Sequence, residues 1–150
     1  MTFYADNETN YEYSFDWKQL FEEVALAVLD FEACPYETQV SLLLTDNEGI
    51  QVINKETRDI DAPTDVLSFP MFDNINDVMD ISPLPLGDIV ISLERAAVQA
   101  HHLCHSLYHE VAFLTVHSTL HLLGYDHETS QEDEDDMFRR QKEIMEIIGF

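Results

Sequence analysis

Residues 108–124 read Tyr-His-Glu-Val-Ala-Phe-Leu-Thr-Val-His-Ser-Thr-Leu-His-Leu-Leu-Gly. Val111, Ala112, Phe113, Leu114, Val116, Leu120, Leu122 and Leu123 leave almost no side of a helical wheel polar. A helix that is apolar nearly all round belongs in a core. Residues 108–123 are therefore predicted to form the buried central helix around which the rest is arranged. Gly124 is predicted to end it, because glycine takes a left-handed C-terminal conformation that other residues resist.

Periodicity places the remaining elements around this helix. Upstream, residues 93–105 read as a helix with Leu93, Ala97, Ala100 and Cys104 inward, and residues 87–92 as a strand. Residues 71–86, with Asp73, Asn74, Asn76, Asp77, Pro83 and Pro85, read as a long loop. Residues 65–69 are strand-like and stop at Pro70. Residues 47–58 suit a short helix that buries Ile50 and Ile53. Val40, Leu42 and Leu44 alternate along a strand at 38–44. Trp17, Leu20, Phe21, Val24, Val28 and Phe31 line one face of a helix at 16–31, capped by Ser14 or Asp16. Downstream, residues 131–148 form a last helix with Met137, Phe138, Gln141, Ile144, Met145 and Ile148 on one face. Thr129 and Glu132 fit a capping box at its start, and acidic residues 132–134 suit its first turn. The order predicts an α+β fold: one domain over residues 1–150, with a small mixed β-sheet and about five α-helices.

Bulk composition narrows the function classes. The chain has 150 residues, 45% apolar and 25% charged, which suits a soluble globular domain with a real core. Cys34 and Cys104 are too few and too far apart for a disulfide scaffold or a metal knuckle. The first residues lack a secretory pattern and no apolar run reaches membrane-spanning length. The expected location is the cytoplasm, with no membrane partner. A net charge of −23 argues against a broad electrostatic grip on nucleic acid. A bound cation with one or two arginines can still make a local positive spot on such a body.

The chemistry concentrates in residues 117–127, His-Ser-Thr-Leu-His-Leu-Leu-Gly-Tyr-Asp-His. His117 and His121 are four apart, so a helix projects both imidazoles from one face. The turn at Gly124 can return His127 as a third nitrogen. Three histidines with a fourth position open make a catalytic type of zinc site, at the C-terminal end of the central buried helix. The same spacing occurs in the metzincin peptidases, whose general base is a glutamate right after the first histidine. Here that position is Ser118, whose hydroxyl is no base at neutral pH, so peptidase chemistry is disfavoured.

Three blocks carry a family resemblance: residues 117–127, residues 64–70 (Thr-Asp-Val-Leu-Ser-Phe-Pro) preceded by Asn54 and Arg58, and residues 87–92 (Gly-Asp-Ile-Val-Ile-Ser). In this order they resemble the YbeY endoribonucleases, the bacterial rRNA maturation factors, whose histidine block runs H-G-x-L-H-L-x-G-Y-D-H. Ser118 departs from it, standing where the family commonly has glycine. The resemblance implies one zinc ion on His117, His121 and His127, with Arg58 matching the family's functional arginine. It implies cleavage of single-stranded RNA, processing of the 16S rRNA 3′ end, and a part in ribosome quality control. The small ribosomal subunit and its proteins are the implied partners.

Arg58, His117 and His121 are thus the expected catalytic residues, Arg58 as a planar, permanently charged fork for phosphate. The nucleophile stays open between a water activated by the metal and the ribose 2′-hydroxyl, and no general base stands out. Thr64 and Ser68 are candidates to touch substrate. Asp126 or Tyr125 could orient a histidine ring, and Glu110 shares the helical face of His117 and His121. His101, His105 and His109 are spaced to share a face too, although a polar outer surface explains them better than a second metal site. Two other functions use the same histidines: a zinc hydrolase other than a nuclease, and a non-catalytic ribosome-assembly factor with a structural metal.

Overall fold

The structure is a computed structural model that describes residues 1–10, 15–34, 37–73, 75–78, 80–126 and 128–150, with the backbone alone for residue 76. Among these residues four strands form one mixed sheet: β1 (Thr2–Asn7), β2 (Thr38–Thr45), β3 (Val66–Pro70) and β4 (Leu84–Ser92), in spatial order β1-β2-β4-β3. β1 and β4 both run parallel to β2, and β3 is antiparallel to β4. Among the described residues five α-helices complete the α+β fold: α1 (Trp17–Phe31), α2 (Asn47–Arg58), α3 (Leu93–His102), α4 (Leu107–Leu122) and α5 (Gln131–Ile147).

Strand alternation divides the core. Val40, Leu42 and Leu44 of β2 and Ile89 and Ile91 of β4 point into the larger cluster, beneath α1, α4 and α5. Leu43, Leu67 and Val90 point the other way, against Ile50 and Ile53 of α2. α4 touches α1, α3, α5, β3 and β4, which is the central place its all-round apolarity predicts. Gly124 ends this stretch at φ +102°, with its N–H donating to the His121 carbonyl at 3.0 Å.

Several boundaries differ from the sequence reading, each for a local reason. β1 was not expected; it lies at the sheet edge, alternately half-buried and exposed, and six residues of half-apolar alternation carry little signal. β4 begins at Leu84, inside the predicted loop. Pro85 is tolerated there because β3 pairs with β4 only as far as Gly87, and a register shift opposite Gln39/Val40 breaks the ladder on the other side. Gly87 is required at this point: a Cβ would sit 2.2 Å from the Phe69 carbonyl oxygen. The α1 cap is Asp16, which accepts from the Gln19 N–H at 3.1 Å; Ser14, the other candidate, lies outside the described residues. The α5 cap is Ser130, accepting from the Asp133 N–H at 3.0 Å, one residue later than the predicted Thr129. Thr129 instead donates to the Asp133 carboxylate. On α3 the inward residue is Ala96 rather than Ala97, and Cys104 is exposed with φ +58°. Cys34 is half-buried, and burial followed by the charge of Glu32 pushes its thiol up to about 11.

Ser118 is fully buried in α4, and among the described residues its hydroxyl has no hydrogen-bond partner. A buried unsatisfied hydroxyl costs about 1–3 kcal/mol. Ser118→Ala is expected to raise the melting temperature by roughly 2–4 °C, a gain of about 1 kcal/mol for a chain of this size. Ser118→Gly should lie near zero, because glycine's helix cost cancels the relief. A drop in melting temperature for Ser118→Ala in calorimetry would show that the hydroxyl is satisfied in solution.

Candidate functional site

A cleft of about 800 Å³ opens where the last turns of α4 meet α5, β3 and the end of α2. Arg58, Thr64, Ser68, His117 and His121 all line it, so the stretch 58–68 and the last turns of α4, far apart in sequence, converge on one space. Ser118 does not line it and does not crowd it.

The histidine pair is built as the i, i+4 spacing predicts. His117 Nε2 and His121 Nε2 lie 3.1 Å apart, with ring centroids at 4.6 Å and planes at 81°. Both rings therefore present one nitrogen to a single point, an arrangement that can chelate one cation. Gln141 on α5 fixes the orientation: its Oε1 is 3.3 Å from His117 Nδ1. A carboxamide oxygen only accepts, so this contact suits the tautomer with its proton on Nδ1, which frees Nε2 to bind a cation. Gln141 is buried with 2% exposure. The sequence reading placed it on an apolar face without a role; one amide among apolar residues was the signal. The third predicted ligand, His127, lies outside the described residues.

Arg58 ends α2 and reaches over β3. Its Nη2 donates to the Ser68 carbonyl at 2.8 Å, and its guanidinium stands 5.5 Å from the Phe69 ring centre. Among the described residues no carboxylate pairs with it, so a structural salt bridge does not account for it.

The two proposed ring-orienting residues do something else. Asp126 accepts from the Glu128 N–H at 2.8 Å, as a turn residue does. The Tyr125 hydroxyl donates to Glu32 Oε2 at 2.7 Å, and its ring lies 4.6 Å from the Arg140 guanidinium. Arg140 in turn donates to Glu32 at 2.7 and 2.9 Å and to Asp136 at 3.1 Å. This clamp ties the end of α1 and the middle of α5 to the turn after α4. Burial first, then the hydrogen bond to Glu32, pushes the Tyr125 phenol up to about 12. Asp136 is held below the usual carboxylate range, first by its hydrogen bond from Arg139.

Removing Arg140 leaves Glu32, whose side chain is 9% exposed, without its cation. Breaking a fully buried pair costs about 3–5 kcal/mol. Arg140 is itself 23% exposed, so Arg140→Met is expected to cost about 2 kcal/mol, a fall of roughly 4–8 °C in melting temperature. A fall under about 1 °C would mean that the pair is solvent-screened and contributes nothing.

Glu110 is neither a cleft residue nor a solvated one. It is 2% exposed and sits 2.5 Å from His105 Nε2. Gln99, with its amide nitrogen turned toward the acids, bridges Glu110 Oε1 at 3.2 Å and Asp65 Oδ2 at 3.3 Å. The chain breaks helix between His102 and Leu107, so His101, His105 and His109 do not share one helical face. His105 stacks on His109 at 4.2 Å, and His109 packs against Phe150 at 4.8 Å. This cluster fastens the α3–α4 junction; among the described residues no group of three metal-ligating side chains forms there.

Comparison with known proteins follows the same outline. The family model described as endoribonuclease YbeY matches residues 4–149. An endoribonuclease YbeY of Lachnoclostridium phytofermentans is 43% identical, with 99% of this chain and 98% of that protein aligned. The one from Agathobacter rectalis is 42% identical at the same coverage. The one from Roseiflexus is 45% identical over 87% of this chain and 82% of its own. Among solved structures, the solution structure of TM1509 from Thermotoga maritima superposes with a TM-score of 0.65 at 25% identity, over 96% of this chain and 87% of that one.

Proposed function

Because the chain belongs to the endoribonuclease YbeY family, we propose that it is an endoribonuclease that cleaves single-stranded RNA with one zinc ion held by His117, His121 and His127. The observation that carries the reading is the pair of imidazole nitrogens 3.1 Å apart in an open cleft that Arg58 also lines. Two nitrogens on one tetrahedral zinc ion at ~2.0–2.1 Å would stand roughly 3.3 Å apart, so the pair fits without rearrangement. Its donors are neutral aromatic nitrogens, a set that suits zinc, and the hydrogen bond to Gln141 is the partner such a ligand ring needs. When bound, the ion supplies Lewis acidity toward a phosphoryl oxygen and lowers the pKa of water.

The chain's own groups do the rest. Arg58 keeps its charge at every working pH and has spent one of its five donors on Ser68. The others remain to hold a phosphodiester oxygen and to stabilise charge that builds on it. The Phe69 ring and the Ser68 carbonyl hold the guanidinium in place beforehand, so little reorganisation accompanies the reaction. Thr64 and Ser68, on the same wall, are placed to touch the ribose or the phosphate.

The substrate we assign is the 16S rRNA 3′ end during small-subunit maturation and quality control, reached in the cytoplasm with help from ribosomal proteins. Net charge −23 makes unaided approach to RNA slow, so docking through a basic protein suits this chain. The description of every long relative compared as an endoribonuclease favours this reading over a peptidase or a non-catalytic assembly factor. In the cell, the test is 16S 3′-end maturation in a bacterial strain lacking its own family member. This chain should restore mature ends; unprocessed ends at normal expression would remove the rRNA assignment. In vitro, the products decide the nucleophile: a 2′,3′-cyclic phosphate with a 5′-hydroxyl means attack by the ribose hydroxyl, and a 3′-hydroxyl with a 5′-phosphate means attack by water.

A further inference from the structure

Phe138 was expected on the buried face of α5 with Met137, Gln141, Ile144 and Met145. Those four are buried, whereas Phe138 is 53% exposed and lines the cleft. Among the described residues it is the one large apolar side chain that is both substantially exposed and part of the cleft wall. A phenylalanine left 53% exposed on an otherwise highly charged helix surface gains only part of the burial that a core position would give it.

Its place relative to the chemistry follows from helix geometry. Gln141, three residues on, touches the His117 ring. Residues three apart on a helix are neighbours, with Cβ atoms roughly 5–6 Å apart. Phe138 thus stands one helical step from the residue that touches His117, in the same cleft as the histidine pair, where a nucleotide next to a phosphate held there would lie.

Charge decides what Phe138 can bind. Among the described residues, and apart from the histidines, the charged side chains lining the cleft are Arg58 and the four acids Asp65, Asp73, Asp126 and Glu128. Such walls hold a polyanion poorly along its backbone. Base stacking carries no charge penalty, because every base has a π-face, and it is the usual means by which proteins hold single strands. In a duplex the base faces are already stacked and unavailable.

We propose that Phe138 is a base-stacking residue that holds the nucleobase next to the scissile phosphate, so that this cleft grips RNA through bases more than through phosphates. The inference rests on the ribonuclease reading above and adds a residue and a recognition mode to it.

The test is equilibrium binding by fluorescence anisotropy to the zinc-loaded full chain. The probes are a fluorescein-labelled 2′-O-methyl octa-adenylate and an abasic oligomer of the same length and charge. Wild type should bind the octa-adenylate at least about fivefold more tightly than the abasic strand. Phe138→Ala should weaken the octa-adenylate by roughly 5- to 100-fold and leave the abasic strand unchanged. Phe138→Tyr should restore binding, and Phe138→Leu, apolar but without a flat π-face, should not. Since Phe138 is exposed, all three variants should keep the wild-type circular dichroism and melting temperature. If Phe138→Ala leaves octa-adenylate binding unchanged, or weakens both probes alike, the stacking role is wrong while the ribonuclease reading stands. If wild type binds neither probe, that reading fails and takes this one with it.

Discussion

His117→Ala is expected to empty the metal site and to lower RNA cleavage by roughly 10³-fold or more, with the fold intact. The ring contributes the nitrogen that faces His121 at 3.1 Å. Without it a tetrahedral ion keeps too few protein ligands to be held at micromolar concentration. Several kcal/mol of charge stabilisation leave with the ion, and each 1.36 kcal/mol is a factor of ten in rate. The ring lies in the cleft wall rather than in the core clusters, so its loss opens no interior cavity. Zinc per chain measured by mass spectrometry should fall from about one to near zero, while the far-ultraviolet dichroism stays that of wild type. A variant that keeps its zinc and its cleavage rate would remove these histidines from the mechanism. A variant that unfolds on losing zinc would instead favour a structural metal and the assembly-factor reading.

Arg58→Ala is expected to cost roughly 10²–10³ in kcat, the usual loss when one preorganised donor to a developing oxyanion is removed. Stability should change by under about 1 kcal/mol, since the side chain is exposed and its contacts are one carbonyl and one ring face. Arg58→Lys should recover only part of the rate. A lysine keeps the charge but lacks the planar fork that meets the Ser68 carbonyl while offering parallel donors to a phosphate. Zinc content should be unaffected in both variants, which separates this loss from that of His117. If Arg58→Ala raises KM but leaves kcat intact, the arginine binds ground state and transition state alike. Unchanged kinetics would show that its cleft position is incidental.

The two effects separate what each residue does. One variant loses an ion and keeps an arginine aimed at an empty point; the other keeps the ion and loses the fork. Both leave Phe138 exposed, so octa-adenylate binding should survive Arg58→Ala with only a modest loss.

Much of this molecule was legible in its sequence because much of it is governed locally. The period of apolar residues placed α1, α2, α4 and α5 to within a residue or two, since amphipathic spacing is a property of a few turns. Asp16 and Gly124 marked helix ends through their own backbone and side-chain chemistry. The i, i+4 histidines met because a helix forces them to. The three blocks that resemble the YbeY family fell at Arg58, along β3 and β4, and at the end of α4. What tertiary structure alone decided were contacts between residues distant in the chain. Gln141 looked like one more inward residue of α5 until α4 brought His117 to it. Glu110 shared a face with the histidines in projection, yet the bend after His102 turned the half-buried His105 onto it and buried Glu110 in another junction. Phe138 had the spacing of a core residue and was left in solvent, because whether an apolar face is covered depends on what packs across from it. β1 escaped the sequence reading because its stability comes from a parallel neighbour, β2, more than thirty residues away. Periodicity fixes which way a side chain points from its own element; only packing fixes what it meets there.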